Sequence, residues 1–331
     1  MAGRRRKKSG GRSYAWRYRG RIVACVFVEV IIICALVIMI GWNKGVKEWF
    51  EQFEQPVLKE VDISGINSPN AILMQVRGGK ILGEINGEAQ IYPASMTKIM
   101  TVILGIENFD DLDEKITLTN EMFSGLYEQD ATQAGFQPGE EVRVIDLLYG
   151  AMLPSGAECC IALADTISGS EADFAELMNK KAGKLGMENT HFCDSTGLHN
   201  PDHYSTVKDI AVLMKYCIKN DTFREIVETS RHSTGVTNIH PDGITYYSTM
   251  FKNLSDPTVT GGKILGGKTG YTSEAGHCLV SFAEIEGREY IFVSAGASGA
   301  DGNTIPHIQD AVTVYNRVGA AIEEKMNDNN K

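Results

Sequence analysis

The chain has 331 residues, 43% of them hydrophobic, and a formal net charge of −10 at neutral pH. This length accommodates one large domain or two small ones, and the composition excludes wholesale disorder. Residues 1–21 hold nine Lys and Arg and no acid, so the rest of the chain carries a formal charge of −19. Such an acidic body argues against nucleic acid as a partner.

The first predicted element is a membrane anchor at 22–42. This segment is apolar apart from Glu29, and about 20 such residues suffice for a helix to cross a bilayer. The basic residues 1–21 predict a cytoplasmic N-terminus, so the chain after the anchor is expected on the extracytoplasmic side of the cell membrane. A cleaved signal peptide is the alternative, but the segment is long for one and ends without a small-x-small cleavage site. We therefore expect a retained single-pass helix, followed by a juxtamembrane stalk at 43–60.

Residues 61–331 are expected to form one globular domain. Two apolar runs separated by an Arg-Gly-Gly-Lys turn predict a β-hairpin at 71–76 and 81–85. Helical patterns and then further strands follow. The helices are predicted at 96–107, 144–152 and 158–167, the strands at 264–269, 277–284 and 290–295, and a last helix at 308–326. This order predicts an α+β fold in which helices flank an antiparallel sheet.

Cysteines do not define a disulfide framework in this chain. Cys25 and Cys34 lie in the predicted anchor. The remaining five are Cys159, Cys160, Cys193, Cys217 and Cys278. This odd set resembles neither a small disulfide scaffold nor a zinc ribbon. Cys159 and Cys160 lie in an apolar helical run, which favours buried free thiols.

Four histidines invite a metal interpretation, namely His191, His199, His203 and His277. Their spacing matches no zinc pattern. His199 and His203 are interpreted instead as a pair on a loop beside the cleft. The sequence therefore predicts no metal and no other cofactor.

A Ser-x-x-Lys motif at Ser95 and Lys98 is the first candidate for chemistry. Residues three apart share a helix face, so Lys98 is expected beside the Ser95 hydroxyl. A serine becomes a nucleophile when a neighbouring base takes its proton, and a lysine whose pKa is lowered by burial is such a base. The motif is common, and it occurs again at Ser205 and Lys208. The alternative for either copy is a helix start with a capping serine and a solvent-facing lysine.

Two later segments carry polar groups at expected breaks in the secondary structure. Ser155 lies between two predicted helices, where it is either a cap or a hydroxyl that projects into a cleft. Lys268, Thr269 and Gly270 lie near the end of a predicted strand. Lys268 offers a cation to a carboxylate, Thr269 offers a hydroxyl, and Gly270 allows a ligand to approach the strand closely. The alternative is a strand that ends in a turn.

In this order the three motifs resemble the signatures of the penicillin-binding and serine β-lactamase superfamily. Their flanks are similar to those of the D-alanyl-D-alanine carboxypeptidases of low molecular mass, over about 61–322. The similar segments are 91–101, 137–140, 146–148, 153–156, 185–192, 197–198, 205–209 and 267–276. In that comparison the second Ser-x-x-Lys motif is a helix start.

The resemblance implies a serine-type D-Ala-D-Ala carboxypeptidase with a β-lactamase-like fold, in which a helical subdomain accompanies the antiparallel sheet. The implied catalytic residues are Ser95, Lys98 and Ser155, and the implied substrate-binding residues are Lys268, Thr269, Gly270 and Tyr271. Ser95 would attack the substrate with Lys98 as base, and Ser155 would relay a proton to the departing D-alanine. The implied partners are a peptidoglycan pentapeptide as substrate and β-lactam antibiotics that acylate Ser95.

Ala157 departs from the family pattern, which has an Asn in contact with the substrate and with the lysine near the nucleophile. Glu158 is a candidate to supply the lost contact. Two alternatives follow. One is a β-lactamase, for which Glu188 would have to position a water. The other is a catalytically weak protein that binds muropeptides or organises a cell-wall complex, although the intact Ser95 and Lys98 argue against it.

Overall fold

The computed structural model describes residues 58–254, 256–299 and 305–329. The predicted basic segment, the transmembrane helix with Cys25 and Cys34, and most of the predicted stalk lie outside the described residues. Among the helices that are described, none combines the length and the apolar character that crossing a bilayer requires.

Six antiparallel strands form the central sheet, in the order β2-β1-β10-β9-β8-β7. The strands are β1 Asn70–Gln75, β2 Lys80–Ile85, β3 Lys115–Thr117, β4 Glu141–Arg143, β5 Arg231–Ser233, β6 Thr245–Tyr247, β7 Thr258–Val259, β8 Gly262–Thr272, β9 Gly276–Ile285 and β10 Arg288–Ala297. The predicted hairpin and the three predicted C-terminal strands are confirmed as β1, β2, β8, β9 and β10. Two short ribbons, β3 with β4 and β5 with β6, were not predicted.

The helices agree with the predicted ones where the apolar pattern is strong. They are α1 Lys98–Asn108, α2 Val144–Met152, α3 Ala157–Ser168, α4 Glu171–Leu185, α5 Val207–Cys217, α6 Asp221–Glu228, α7 Thr249–Asn253 and α8 Pro306–Asn329. The first predicted helix begins later than expected, because Ala94–Thr97 is a 3-10 turn that leads into α1. Helix α4 was missed, although Ser170 caps it by accepting a hydrogen bond from the Asp173 N–H.

The sheet is covered on both faces, because successive side chains of a strand point to opposite sides. In β1, Ile72 and Met74 join a core that contains residues of α1 to α6. Ala71 and Leu73 join a second core with residues of α7 and α8. The turn that precedes α1 packs against β8, and Lys268 of β8 donates a hydrogen bond to Ser155. The first two polar motifs therefore meet the third at that strand.

Buried thiols contribute to the first core. Cys159 and Cys160 of α3 are free and fully buried, as predicted. Cys217 and Cys278 are also buried, whereas Cys193 is half-buried. These thiols serve as small apolar side chains in the core.

Tyr315 joins α8 to the sheet through its hydroxyl. Its Oη accepts a hydrogen bond from the Phe292 N–H at 3.0 Å and lies 3.1 Å from Ser281 Oγ. Tyr315→Phe is expected to lower the free energy of unfolding by about 1–2 kcal/mol, because it leaves buried polar groups unpaired. Urea unfolding measures this loss.

Tyr246→Phe is the matched control for that measurement. The Tyr246 hydroxyl is buried and has no hydrogen-bond partner among the described residues. Its removal should leave the free energy of unfolding unchanged or slightly higher, because no hydrogen bond is lost. Equal losses in the two variants would contradict the role of the Tyr315 hydroxyl.

Candidate active site

Ser95 lies on a tight turn in front of α1. Residues Ala94–Thr97 form a 3-10 turn, and the chain continues directly into Lys98. Ala94 has a φ of +46°, a left-handed conformation that residues other than glycine rarely adopt. Strain of this kind persists only where the surrounding structure fixes the chain. Here it turns Ser95 toward β8.

Lys98, the predicted base, is buried and lies beside Ser95. Its Nζ lies 2.9 Å from Ser95 Oγ and donates to the Thr196 carbonyl oxygen at 2.7 Å. Only 3% of Lys98 is exposed. This burial lowers the pKa of Lys98, because desolvation penalises the ammonium form, while Cys160 and Asp194 act in the opposite direction. Burial therefore favours the neutral form that a base beside the serine hydroxyl requires.

A second pair of lysine and serine lies nearby. Lys268 Nζ lies 3.0 Å from Ser155 Oγ and donates to the Thr269 carbonyl oxygen at 2.8 Å. Burial and the positive charge of Lys98 hold the pKa of Lys268 well below its usual range. Ser155 adopts a left-handed conformation, with a φ of +75°, at the break between α2 and α3. The strained break directs its hydroxyl to Lys268, so Ser155 is more than a helix cap.

The structure thus brings the four predicted polar residues into two hydrogen-bonded pairs, Ser95 with Lys98 and Ser155 with Lys268. The hydroxyl of Thr269 has a partner that the sequence did not reveal. Its Oγ1 lies 2.7 Å from Oγ1 of Thr249 at the start of α7. This contact fixes the rotamer of Thr269 at the edge of the site.

Gly270 has a packing role that the sequence did not reveal. A Cβ there would lie 3.0 Å from the Ser95 backbone nitrogen and 3.1 Å from the Ala94 Cβ. The protein's own turn therefore approaches this strand closely, and the close approach of a ligand stays a prediction. The next residue, Tyr271, is 60% exposed, and its ring centroid lies 4.7 Å from that of His277.

The second Ser-x-x-Lys motif lacks such a pair. Lys208 forms an ion pair with Glu88 on the surface, whereas Ser205 is fully buried. Thr206 caps α5 by accepting a hydrogen bond from the Asp209 N–H at 3.0 Å. The interpretation of this motif as a helix start is confirmed.

Glu158 does not supply the contact that Ala157 lacks. Its Oε1 accepts hydrogen bonds from the N–H groups of Ala134 at 2.6 Å and Gly135 at 2.9 Å. Its Oε2 has no hydrogen-bond partner among the described residues. Burial raises the pKa of Glu158. Ala157 itself is buried and donates its N–H to the Thr132 carbonyl, so both residues hold the loop 132–135 in place.

Glu188 gives no support to the β-lactamase alternative. Its side chain is exposed, and its charge acts on Asp209 of α5. A different glutamate, Glu171, lies close to the turn that contacts Lys98. It accepts hydrogen bonds from the Ser195 N–H at 3.2 Å and from Ser195 Oγ at 2.5 Å. Glu171 therefore fixes the protein backbone.

The two loop histidines have different surroundings. His199 packs edge-on against Tyr92, with 4.8 Å between ring centroids, and lies 3.9 Å from the Glu274 carboxylate. His203 is buried, and its Nε2 lies 2.9 Å from Thr97 Oγ1. Within the described part of the chain, no group of three or more His, Cys, Asp and Glu side chains is arranged to hold a metal ion.

The turn that receives Lys98 was not predicted. Asp194 Oδ1 accepts hydrogen bonds from the Thr196 N–H, the Thr196 hydroxyl and the Gly197 N–H, each at 2.7 Å. Burial would raise the pKa of Asp194, but the hydrogen bond and charge of His203 and the Thr196 hydrogen bonds lower it to about 2. An Asp with a Gly three residues later, as in Asp194 and Gly197, is typical of a β-turn. Nothing in the sequence places that turn beside Lys98.

The matching family and two known proteins that are similar to this chain share one description. Residues 57–299 match the family described as D-alanyl-D-alanine carboxypeptidase, peptidase S11. The chain is 35% identical over 231 residues to the D-alanyl-D-alanine carboxypeptidase DacF of Bacillus subtilis (strain 168), covering 69% of this chain and 57% of that one. It is 33% identical over 262 residues to DacC of Escherichia coli (strain K12), a protein of the same description, covering 72% and 58%. The chain spans less than two thirds of the length of either relative.

A solved structure shares the fold along its whole length. The Streptomyces K15 DD-transpeptidase superposes with a TM-score of 0.69 at 29% identity, covering 79% of this chain and 100% of that one. The described residues therefore share the fold of this DD-transpeptidase.

The two copies of the Ser-x-x-Lys motif allow a matched test of the base. Lys98→Met removes the amine beside Ser95 and is expected to slow labelling by a fluorescent penicillin by roughly 10²- to 10⁴-fold. Lys208→Met alters the surface copy and should leave the labelling rate unchanged. Time-resolved labelling measures both rates. Equal rates in the two variants would exclude Lys98 as the base.

Proposed function

Because the chain belongs to the D-alanyl-D-alanine carboxypeptidase family, peptidase S11, we propose that it hydrolyses the terminal D-alanine from peptidoglycan stem peptides through an acyl-enzyme on Ser95. The observation that carries this proposal is the buried Lys98 amine, 2.9 Å from Ser95 Oγ. The adjacent pair of Ser155 and Lys268 supplies the second proton-carrying group that such a reaction requires.

Acylation begins with proton transfer from Ser95 Oγ to Lys98 Nζ. The oxygen attacks the carbonyl carbon of the penultimate D-alanine. The backbone N–H groups of Ser95 and Tyr271 are proposed to bind the oxyanion that forms. Donors fixed by the turn and by β8 stabilise this charge without reorganising during the reaction.

Collapse of the tetrahedral intermediate breaks the C–N bond and releases D-alanine. The departing amine takes its proton from Ser155 Oγ, which regains one from Lys268 Nζ, 3.0 Å away. The proton that Lys98 accepted then replaces the one that Lys268 gave. A water molecule, deprotonated by Lys98, attacks the ester and frees Ser95. β-Lactams are proposed to enter the same pathway and stop at the acyl-enzyme.

The terminal carboxylate of the substrate is proposed to lie near Lys268 and Thr269. Lys268 is almost fully buried, and burial together with Lys98 lowers its pKa. A bound carboxylate would favour the ammonium form of Lys268 by charge attraction. The charged Lys268 would in turn disfavour a second charge on Lys98. Substrate binding would thus favour the neutral form of Lys98, which accepts the Ser95 proton.

Release of D-alanine from a pentapeptide that ends in D-Ala-D-Ala tests the proposed reaction. The wild-type protein should release D-alanine, and Ser95→Ala should abolish release. Ala157→Asn is expected to raise kcat/KM by about 2- to 10-fold, the effect of one added hydrogen bond to the substrate. No release from the wild type or from Ala157→Asn would favour the muropeptide-binding alternative.

The proposed location of the enzyme is the cell membrane. Segment 22–42 is proposed to anchor the chain in the cell membrane, with residues 1–21 in the cytoplasm and the catalytic domain on the extracytoplasmic side. The apolar length of the segment and the nine basic residues before it support this orientation.

Removal of residues 1–42 tests the anchor. The truncated protein is expected in the soluble fraction, because it lacks the apolar segment, and it should still be labelled by fluorescent penicillin at Ser95. The full-length chain should sediment with membranes and resist extraction by high salt. A truncated protein that stays in the membrane fraction would contradict the proposed anchor.

A further inference from the structure

A hydroxyl, an imidazole and a carboxylate lie in line behind the turn that carries Ser95. Thr97 Oγ1 is 2.9 Å from His203 Nε2, and His203 Nδ1 is 3.1 Å from Asp194 Oδ2. This is the order of groups in a hydrolase triad. Thr97 is fully buried and His203 is only 2% exposed, so no substrate reaches this hydroxyl. Any effect of these three side chains on the reaction must therefore come from the way in which they position neighbouring residues.

Thr97 and Asp194, the two ends of this arrangement, belong to the two turns that flank the Lys98 amine. Thr97 lies between Ser95 and Lys98 in the chain. Asp194 shapes the opposite turn, because its Oδ1 binds the N–H and the hydroxyl of Thr196. The Thr196 carbonyl oxygen accepts from Lys98 Nζ at 2.7 Å. His203 is therefore the bridge between the turn of the nucleophile and the turn that binds the base.

The carboxylate selects the tautomer of this bridge. With the proton on Nδ1, His203 donates to Asp194 Oδ2, and its Nε2 accepts from the Thr97 hydroxyl. With Nδ1 unprotonated, a lone pair would face the Asp194 carboxylate at 3.1 Å. The hydrogen bond that one ring nitrogen makes sets the role of the other. The Cys193 N–H also donates to Nδ1 at 3.2 Å, a contact that favours the opposite tautomer, but the charged oxygen is the stronger partner.

The Thr196 carbonyl sets the direction of the Lys98 lone pair. A neutral amine has two N–H groups and one lone pair. With one N–H held by the carbonyl, the lone pair is free to face Ser95 Oγ at 2.9 Å. A base must meet the proton that it abstracts with suitable geometry. A displacement of about 1 Å costs on the order of 10²-fold in rate.

We propose that His203 is a positioning residue for acylation, which ties Thr97 to Asp194 and so keeps the Thr196 carbonyl where it orients the Lys98 amine. This inference rests on the proposed acylation of Ser95.

The turn has separate supports that should keep it folded without His203. Thr101 Oγ1 donates to the Ser195 carbonyl at 2.6 Å, and Glu171 accepts from Ser195 Oγ at 2.5 Å. These contacts hold Ser195 without the participation of His203. They preserve the turn, whereas the alignment of Thr196 with Lys98 depends on the His203 bridge.

Acylation kinetics with a fluorescent penicillin test the bridge, because they separate the dissociation constant of the initial complex from the acylation rate constant. His203→Gln keeps an amide toward Thr97, and His203→Asn keeps one toward Asp194, but neither spans both. The rate constant is expected to fall about 10- to 100-fold in both variants. The dissociation constant should stay within about twofold, since the orientation of the base matters only in the transition state.

Changes at Thr97 give an independent measurement from the other end of the bridge. Thr97→Val removes the hydroxyl and should reproduce the selective loss of rate constant. Thr97→Ser retains the hydroxyl and should recover most of the rate that the Val variant loses. Recovery by Ser ties the loss to the hydrogen bond rather than to packing.

His191→Ala is the matched control. His191 is exposed, its Nδ1 contacts the Asp202 carbonyl at 2.7 Å, and the variant should acylate at the wild-type rate. Wild-type rate constants in the two His203 variants and in Thr97→Val would overturn the positioning role. So would a loss confined to the dissociation constant or to the fraction of protein labelled. A wild-type protein that is not acylated at all would instead overturn the proposed function.

Discussion

The burial of the Lys98 amine is the constraint on which the rest of the site depends. An amine removed from water needs hydrogen-bond partners inside the protein. Lys98 finds them at Ser95 and at the Thr196 carbonyl, which belong to distant parts of the chain. The two parts approach closely because Gly197 has no side chain. A Cβ there would lie 1.9 Å from the Ala94 carbonyl oxygen.

The sequence identifies the residues of the site better than it identifies their neighbours. Helix α2 was predicted with the bounds observed, since its apolar pattern is dense, and Ser95, Lys98, Ser155 and Lys268 fall in recognisable motifs. The role of Thr196 and the contact of His203 with Thr97 were not predicted, because these partners lie 98 and 106 residues away and no local pattern records so distant a contact. The ribbons β3–β4 and β5–β6 escaped because strands of three residues show no periodicity.

The two Ser-x-x-Lys motifs have the same residue types at the same spacing and differ in burial. Lys98 is 3% exposed and bonds to its serine, whereas the side chain of Lys208 is 40% exposed and pairs with Glu88. The departure at Ala157 has a similar lesson. The neighbouring Glu158 binds the loop 132–135 and does not contact Lys98. Among the described residues, Lys98 therefore has two hydrogen-bond partners, and neither is an amide side chain of the second motif. A motif therefore states which residues are present, and the fold decides what each one meets.

The two buried lysines also bear on how the stability of the protein changes with pH. The folded protein holds the pKa values of Lys98 and Lys268 below the value near 10.5 of a solvated lysine. Between the lowered and the ordinary pKa, the unfolded chain binds more protons than the folded one, so these groups make the fold more stable as pH rises. At neutral pH they oppose folding. The same desolvation that prepares the base for reaction is a free-energy cost of folding, which the cores on both faces of the sheet must offset.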